Sequence, residues 1–229
     1  TTATTVTTVT TVTTVTTGSR DMSRYLPLFP LGSPVLPTQI LPLHVFEDRY
    51  RVLMETLTGF GSTAEMGVVL IERGSEVGGG DARTGTGTVT HLIESERLPD
   101  GRWVAIFAGS HRFRVERWLE DDPYPQAVVE ELADEEWDPA DREALDAAEA
   151  SVRRALQLAA ELGEPVGHPG FTLSETPAVA AWELCARAPL GALDRQCLLE
   201  SDRRRDRLHL LDRLAEDAAT LLAFRLGGR

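Results

Sequence analysis

The chain has 229 residues and a mass of 25.1 kDa, enough to bury a real core in one domain of two parts or in two small domains. Its 23 basic residues are all arginine and face 36 acidic ones, for a net charge of −13. Such a balance argues against a general nucleic-acid binder, which must present positive charge to phosphates, and the lack of any lysine excludes both a P-loop and a Ser-Lys nucleophile.

Residues 1–21 are a low-complexity Thr/Val tract read as a disordered tail, with strand addition to a sheet edge as the alternative. No basic stretch leads into an apolar one there, so no secretory signal is read. Residues 26–51 follow, LPLFPLGSPVLPTQILPLHVFEDRYR, two apolar runs with Leu-Pro-Leu triplets joined by a Gly-Ser-Pro turn. Pro27, Pro30, Pro37 and Pro42 cannot donate to a ladder, which confines these strands to edges, ends or bulges and suits a small bent barrel.

From residue 47 to 57, Tyr50, Leu53, Met54 and Leu57 share a helical face. Gly67-Val68-Val69-Leu70-Ile71 reads as a fully buried strand, and residues 72–87 as a polar, glycine-rich loop. Two strands flank the turn signal Pro99-Asp100-Gly101. In the second, Trp103, Ala105 and Phe107 alternate with Val104 and Ile106, so both faces are expected to be covered. Further on, Phe113 and Val115 alternate with Arg112, Arg114 and Glu116, which predicts one buried and one wet face. The run 126–132 closes a part of about six strands with one early helix.

At Asp138-Pro139 the period becomes helical, with an N-cap and a proline at the first turn. Leu145, Ala148, Val152, Leu156 and Ala159 mark one face of a long helix. Thr176-Pro177 starts another, with Val179, Trp182 and Cys185 inward, and a short helix spans about 193–199. Ser201 is expected to cap the last, whose stripe is Leu208, Leu211, Leu214, Ala218 and Leu221. The fold class expected is α+β: a small β-barrel over residues 22–134, then a helical bundle over 135–229. Cys185 and Cys197 read as buried free thiols of a cytoplasmic protein, and no apolar run approaches the ~20 residues of a membrane span.

No catalytic constellation emerges. Gly78-Gly79-Gly80 and Gly85-Thr86-Gly87 lack the third glycine of a dinucleotide fingerprint and precede a strand, so they read as loop glycines beside the barrel. The five histidines show no i, i+4 pairing and no motif with cysteine, so neither metal nor cofactor is expected. Ser110 and His111 are adjacent on a strand and should point to opposite faces, which would keep them apart as nucleophile and base. The carboxylates from Glu130 to Asp138 read as a solvated linker.

Leu41-Pro42-Leu43-His44-Val45-Phe46-Glu47-Asp48-Arg49-Tyr50 resembles the opening signature of the Lon protease N-terminal (substrate-binding) domain, with Asp48 where proline is usual. Residues 67–78, 87–89, 109–115 and 190–207 are similar to later segments of that family, and together the matches run over about 25–226. The resemblance implies a PUA-like barrel followed by helices, in a stand-alone protein that binds unfolded or tagged polypeptide without turnover. A protease or chaperone would be its further partner, as monomer or weak dimer, and a role as adaptor or regulator of proteolysis follows. RNA binding, which PUA-like barrels also serve, and an unrecognised hydrolase are the alternatives.

Candidate binding residues are few. Phe46 and Tyr50 form either an aromatic platform or the packing of the early helix on the barrel. Arg73 and Glu76 either meet a ligand or hold their loop as an ion pair. Arg112 and Arg114 share a strand face and form either an exposed cationic stripe or an ordinary solvated surface.

Overall fold

The structure is a computed structural model and describes residues 23–59, 62–74, 76 and 80–228; the expected tail, 1–21, lies outside them. The strands are β1 (Ser23–Leu31), β2 (Ile40–Val45), β3 (Glu65–Arg73), β4 (Ala82–Arg97), β5 (Trp103–Trp118) and β6 (Gln126–Leu132). Helix α1 (Asp48–Thr58) lies between β2 and β3, and a 3-10 turn (Pro139–Asp141) leads into α2 (Arg142–Glu161). Three more helices follow: α3 (Pro177–Arg187), α4 (Ala192–Glu200) and α5 (Arg204–Gly227).

The expected six-stranded barrel does not form. The strands make one mixed sheet in the order β2-β5-β4-β3-β1-β6, with β1 and β3 parallel and the other pairs antiparallel. Strand β5 is long enough to hold β2 along Trp103–Ala108 and β6 along Arg112–Trp118 on the same edge. The sheet therefore curls where β5 meets β6, while β2 stays outside that contact as an edge strand. Prolines and strand count in the sequence carry no register information, and register decides this point. Pro42 sits on that edge strand, where a missing N–H costs no ladder bond.

The glycine-rich loop is also shorter than expected, because β4 begins at Ala82 and takes in Gly85 and Gly87. Gly87, opposite Val69, and Gly67, opposite Val89, both lie against the ring of Phe113. A Cβ on Gly87 would stand 2.6 Å from Phe113 Cζ, and one on Gly67 would stand 2.7 Å from it. The ring occupies the space that two side chains would fill, and this lets a fully buried Phe113 anchor the core with Leu26, Leu28, Val69, Val89 and Val129.

Across the sheet's other end, α1 buries Tyr50, Leu53, Met54 and Leu57 against Val45, Met66, Val68, Trp103 and Phe107. The β4–β5 turn is as the sequence predicts, with Gly101 at φ +85° and its N–H donated to the Leu98 carbonyl at 2.9 Å. In the helical part, Leu145, Ala148, Val152 and Leu156 of α2 face Leu208, Leu211 and Ala215 of α5. Asp138 caps the entry turn by accepting from the Ala140 N–H at 2.9 Å.

Three helical details depart from expectation. Val179 is exposed and lies outside the core of α3. Ser201 ends α4, donating its hydroxyl to the Cys197 carbonyl at 3.0 Å, and does not cap α5. The buried line of α5 runs through Leu208, Leu211, Ala215, Ala219 and Leu222, which leaves Leu221 outside. Leu221 and Leu222 are equally apolar, so only packing on α2 chooses between them.

Two of the segments that join sheet and helices are the most deeply buried. In the β1–β2 loop, Val35 enters the sheet core and its neighbour Leu36 enters the helical core. The second joint is Arg112, 3% exposed, whose Nη1 donates to the carbonyls of Leu199 at 3.0 Å and Ser201 at 2.9 Å. Its Nη2 donates to Asp134 Oδ1 at 3.2 Å, and Asp134 also accepts from the Trp182 indole N–H. Arg207, equally buried, stacks on the Trp182 ring at 3.7 Å and donates to the Ser201 carbonyl at 3.2 Å. Burial pushes the Arg207 guanidinium down to about 10, so it remains a cation at neutral pH.

Truncating Arg112 takes a donor from the Leu199 carbonyl, and weakens the hold on the Ser201 carbonyl and the Asp134 carboxylate, which keep Arg207 and Trp182. Arg112→Ala should lower the unfolding free energy by roughly 3 kcal/mol in urea titration. Gly87→Ala should cost about 2 kcal/mol through overpacking against Phe113, whereas Gly85→Ala, with open space around its Cβ, should leave the midpoint near the parent value.

Candidate functional site

Strand β2 alternates cleanly. Leu41, Leu43 and Val45 pair with Phe107, Ala105 and Trp103 of β5 and face the core. Ile40, Pro42 and His44 pair with Ala108, Ile106 and Val104 and face outward. Phe46, the next residue of the same parity, is outward too. Ile40 is 54% exposed, Phe46 53% and Val104 44%, with Ile106 half-buried between them.

The sequence reading expected both faces of this part of β5 to be covered. Only one is, because the helices pack on the other end of the sheet, where Arg112 lies, and β2 is an edge. The signal was present as an apolar run with Val104 and Ile106 on the second face, but composition does not say whether a partner for that face lies within the chain.

Strand β4 borders the patch. Glu96 and Glu94 lie across from Val104 and Ile106, and the register shift between Leu92 and Glu94 turns Ile93 outward, 57% exposed. A bulge thus places two side chains in succession on the wet side, one apolar and one acidic. The result is an apolar strip two strands wide, with acidic Glu94 and Glu96 along one margin.

The six expected binding residues scatter around this strip. Phe46 belongs to it. Tyr50 does not: it is buried, its ring 4.2 Å from that of Phe29 and 4.5 Å from the Arg49 guanidinium, and burial pushes its hydroxyl pKa far up. Arg73 ends β3 on the surface, and among the described residues it forms no ion pair with Glu76. The Glu76 carboxylate accepts from the Gly32 N–H, while its carbonyl accepts from Arg49 Nη2 at 3.5 Å. That loop is held to the β1–β2 turn and to the start of α1, not to Arg73.

Arg112 and Arg114 do share a face, yet they do not form an exposed cationic stripe. Arg112 is sealed beneath α4 and the start of α5, and only Arg114 reaches solvent, 3.1 Å from Asp202. An arginine alternating with apolar residues looks wet in sequence, whereas its planar head can satisfy several carbonyls when a helix ends above it.

Ser110 and His111 also depart from expectation. Three steps of β5, Gly109 to Arg112, face two of β4, Thr90 to Thr88, and in this irregular stretch Ser110 Oγ comes 3.0 Å from His111 Nδ1. His111 Nε2 lies 3.4 Å from Glu131, whose Oε1 is already held by Arg24 Nε at 2.5 Å. Arg24 continues to Glu65 at 2.7 Å, and Glu65 to His91 at 3.2 Å, so the group is a surface ion network across five strands.

Of the two cysteines, Cys185 is buried and its thiol is pushed up to about 11 by burial, whereas Cys197 is exposed, contrary to expectation; both are free. Among the described residues no group of three or more His, Cys, Asp or Glu is placed to hold a metal ion, and no helix is long and apolar enough to cross a membrane.

Residues 25–216 match the family described as the ATP-dependent protease La (LON) substrate-binding domain. Lon protease 2 of Desulfotalea psychrophila is 28% identical over 195 residues, covering 83% of this chain and 24% of that protein. Lon protease 2 of Herpetosiphon aurantiacus is 26% identical over 190 residues, covering 81% and 23%. The chain thus spans about a quarter of the length of these curated relatives. Among solved structures, a Lon N-terminal domain protein from Xanthomonas campestris superposes with a TM-score of 0.58 at 28% identity, covering 82% of this chain and 96% of that one. The N-terminal domain of Mycobacterium avium complex Lon protease gives 0.60 at 17% identity, covering 85% and 99%, a likeness of fold alone.

Proposed function

This chain belongs to the Lon substrate-binding domain family, and on that premise we propose that it binds apolar segments of unfolded polypeptide on the outer face of β2 and β5. It is a non-catalytic module of the Lon N-terminal type. The Ser110–His111 contact is therefore assigned to the surface ion network and given no nucleophilic role.

One observation carries the proposal: Ile40, Pro42, Phe46, Val104 and Ile106 share an outward, largely apolar face, interrupted by His44, that no helix among the described residues covers. Exposed contiguous apolar surface of this kind marks an interaction site more often than chance exposure does. A peptide lying along β2 would bury aliphatic and aromatic side chains there, each worth about 1.5–3 kcal/mol when fully removed from water. Glu94 and Glu96, and the net charge of −13, favour targets whose apolar stretch is flanked by basic residues. Delivery of such segments to a Lon-type protease, or protection of them in the cytoplasm, is the role this binding would serve. Two free thiols suit that compartment. An RNA-binding role is not adopted, since three of the arginines, Arg112, Arg204 and Arg207, are buried.

Fluorescence anisotropy with labelled 20-residue peptides tests the proposal. The peptides carry an apolar centre, lysine or glutamate flanks, and a C-terminal amide. The lysine-flanked peptide should bind more tightly, and Ile40→Glu or Val104→Glu should weaken it about tenfold, ~1.4 kcal/mol, without moving the thermal midpoint. Unchanged affinity in both variants would remove the sheet face as the site.

A further inference from the structure

A second site lies in the helical part, at the connection between α2 and α3. Arg153 of α2 folds this connection back onto its own helix. Its guanidinium is held by Glu149 at 2.6 Å and donates to the carbonyls of Pro169 at 2.5 Å and Phe171 at 2.8 Å. It also lies 4.0 Å from the Phe171 ring centroid. The Arg187 guanidinium, from the last turn of α3, stands 5.2 Å from the same centroid. The aromatic ring is thereby fixed between a pinned cation and an exposed one.

A cavity of about 360 Å³ opens beside this ring, lined by Leu156, Gly167, His168, Phe171, Ala186 and Arg187. That volume is at the small end of the range for ligand pockets, ~300–1,000 Å³. Its two polar side chains, His168 and Arg187, can each donate. The His168 Nδ1 accepts the Gly170 N–H at 2.9 Å, which places the hydrogen of the neutral ring on Nε2. Arg187 brings a guanidinium that, among the described residues, has no carboxylate partner. The lining contains no acidic side chain, although the chain carries 36 acidic residues. An apolar floor, two donors and no competing anion describe a pocket for one kind of group.

We infer that this cavity binds an apolar residue that carries a free carboxylate. The apolar side chain rests on Leu156, Phe171 and Ala186, and the carboxylate pairs with Arg187, with the His168 Nε2–H as second donor. Two sources share that chemistry: the C-terminal residue of a polypeptide, and a small amphiphilic acid. The inference does not depend on the sheet face, because the pocket lies on helices α2 and α3 and their connection.

The test compares a fluorescein-labelled octapeptide ending in Leu-Phe with a free carboxylate against the same peptide as its C-terminal amide, at low salt. The acid should bind at least about tenfold more tightly than the amide. Arg187→Gln should reduce the acid to the level of the amide, and Arg187→Lys should keep part of the preference. Arg187 is exposed, so an unchanged thermal midpoint is expected and checks the fold of each variant. In NMR titration of the parent protein, the His168 ring resonances should shift with the acid peptide and not with the amide. Competition by N-acetylphenylalanine would assign the pocket to small acids as well, and its failure to compete would assign it to polypeptide ends. Equal binding of acid and amide, or a preference that survives Arg187→Gln, would overturn the inference. Ile40→Glu should leave the acid-over-amide preference intact, so the two sites fail separately.

Discussion

A guanidinium buried between a sheet and the ends of two helices constrains nearly everything else in this molecule. Arg112 leaves β5 and, with no solvent to turn to, takes the Leu199 and Ser201 carbonyls and the Asp134 carboxylate. Those carbonyls are orphans at the end of α4, where no further turn supplies an N–H to them. Asp134 in turn orients Trp182, and Trp182 offers its face to Arg207. One turn earlier on α5, Arg204 donates to the carbonyls of Glu135 and Glu136 in the strand-to-helix linker. The acidic linker is thus partly structural: its backbone and Asp134 serve buried arginines. A lysine could not replace these heads, since a point charge would satisfy fewer carbonyls and would not stack flat on indole. That requirement gives physical content to a basic complement made only of arginine.

The joint also decides which surfaces remain open. The helices occupy the part of the sheet around Arg112, Thr86 and Thr88, where Gln196 donates to the Thr86 carbonyl at 3.1 Å and Thr88 donates to the Val35 carbonyl at 2.6 Å. The other half of β5 is left with a six-residue edge strand on one side and an uncovered outer face. The polypeptide binding proposed above would fall on an apolar strip on rigid strands, remote from the joint that holds the two parts together. Phe46 extends that strip as the chain turns into α1, and Tyr50, four residues later, locks the helix beneath it.

Much of the fold was legible from residue order, and particular elements show why. The Pro99-Asp100-Gly101 turn, the Asp138-Pro139 helix start and the apolar face of α2 depend on local backbone preferences or on a single period, and each lies where the pattern puts it. What failed depends on distant partners. Strand β2 reads as one more barrel stave until register shows that β5 holds both β2 and β6 on one edge. Arg112 reads as a wet residue until α4 ends over it. Gly87 reads as loop until Phe113 needs the room its Cβ would take. The candidate site was partly legible in the same way: the LPLHVF segment drew attention to Phe46, but the open face required knowing that no helix among the described residues packs over Val104.

The most direct test of this account is hydrogen–deuterium exchange with and without a saturating lysine-flanked, C-terminally amidated apolar peptide. The account predicts slower exchange in residues 40–46 and 104–108, with little change in α2 and α5. Protection confined to the helices, or none along β2 and the first half of β5, would contradict it.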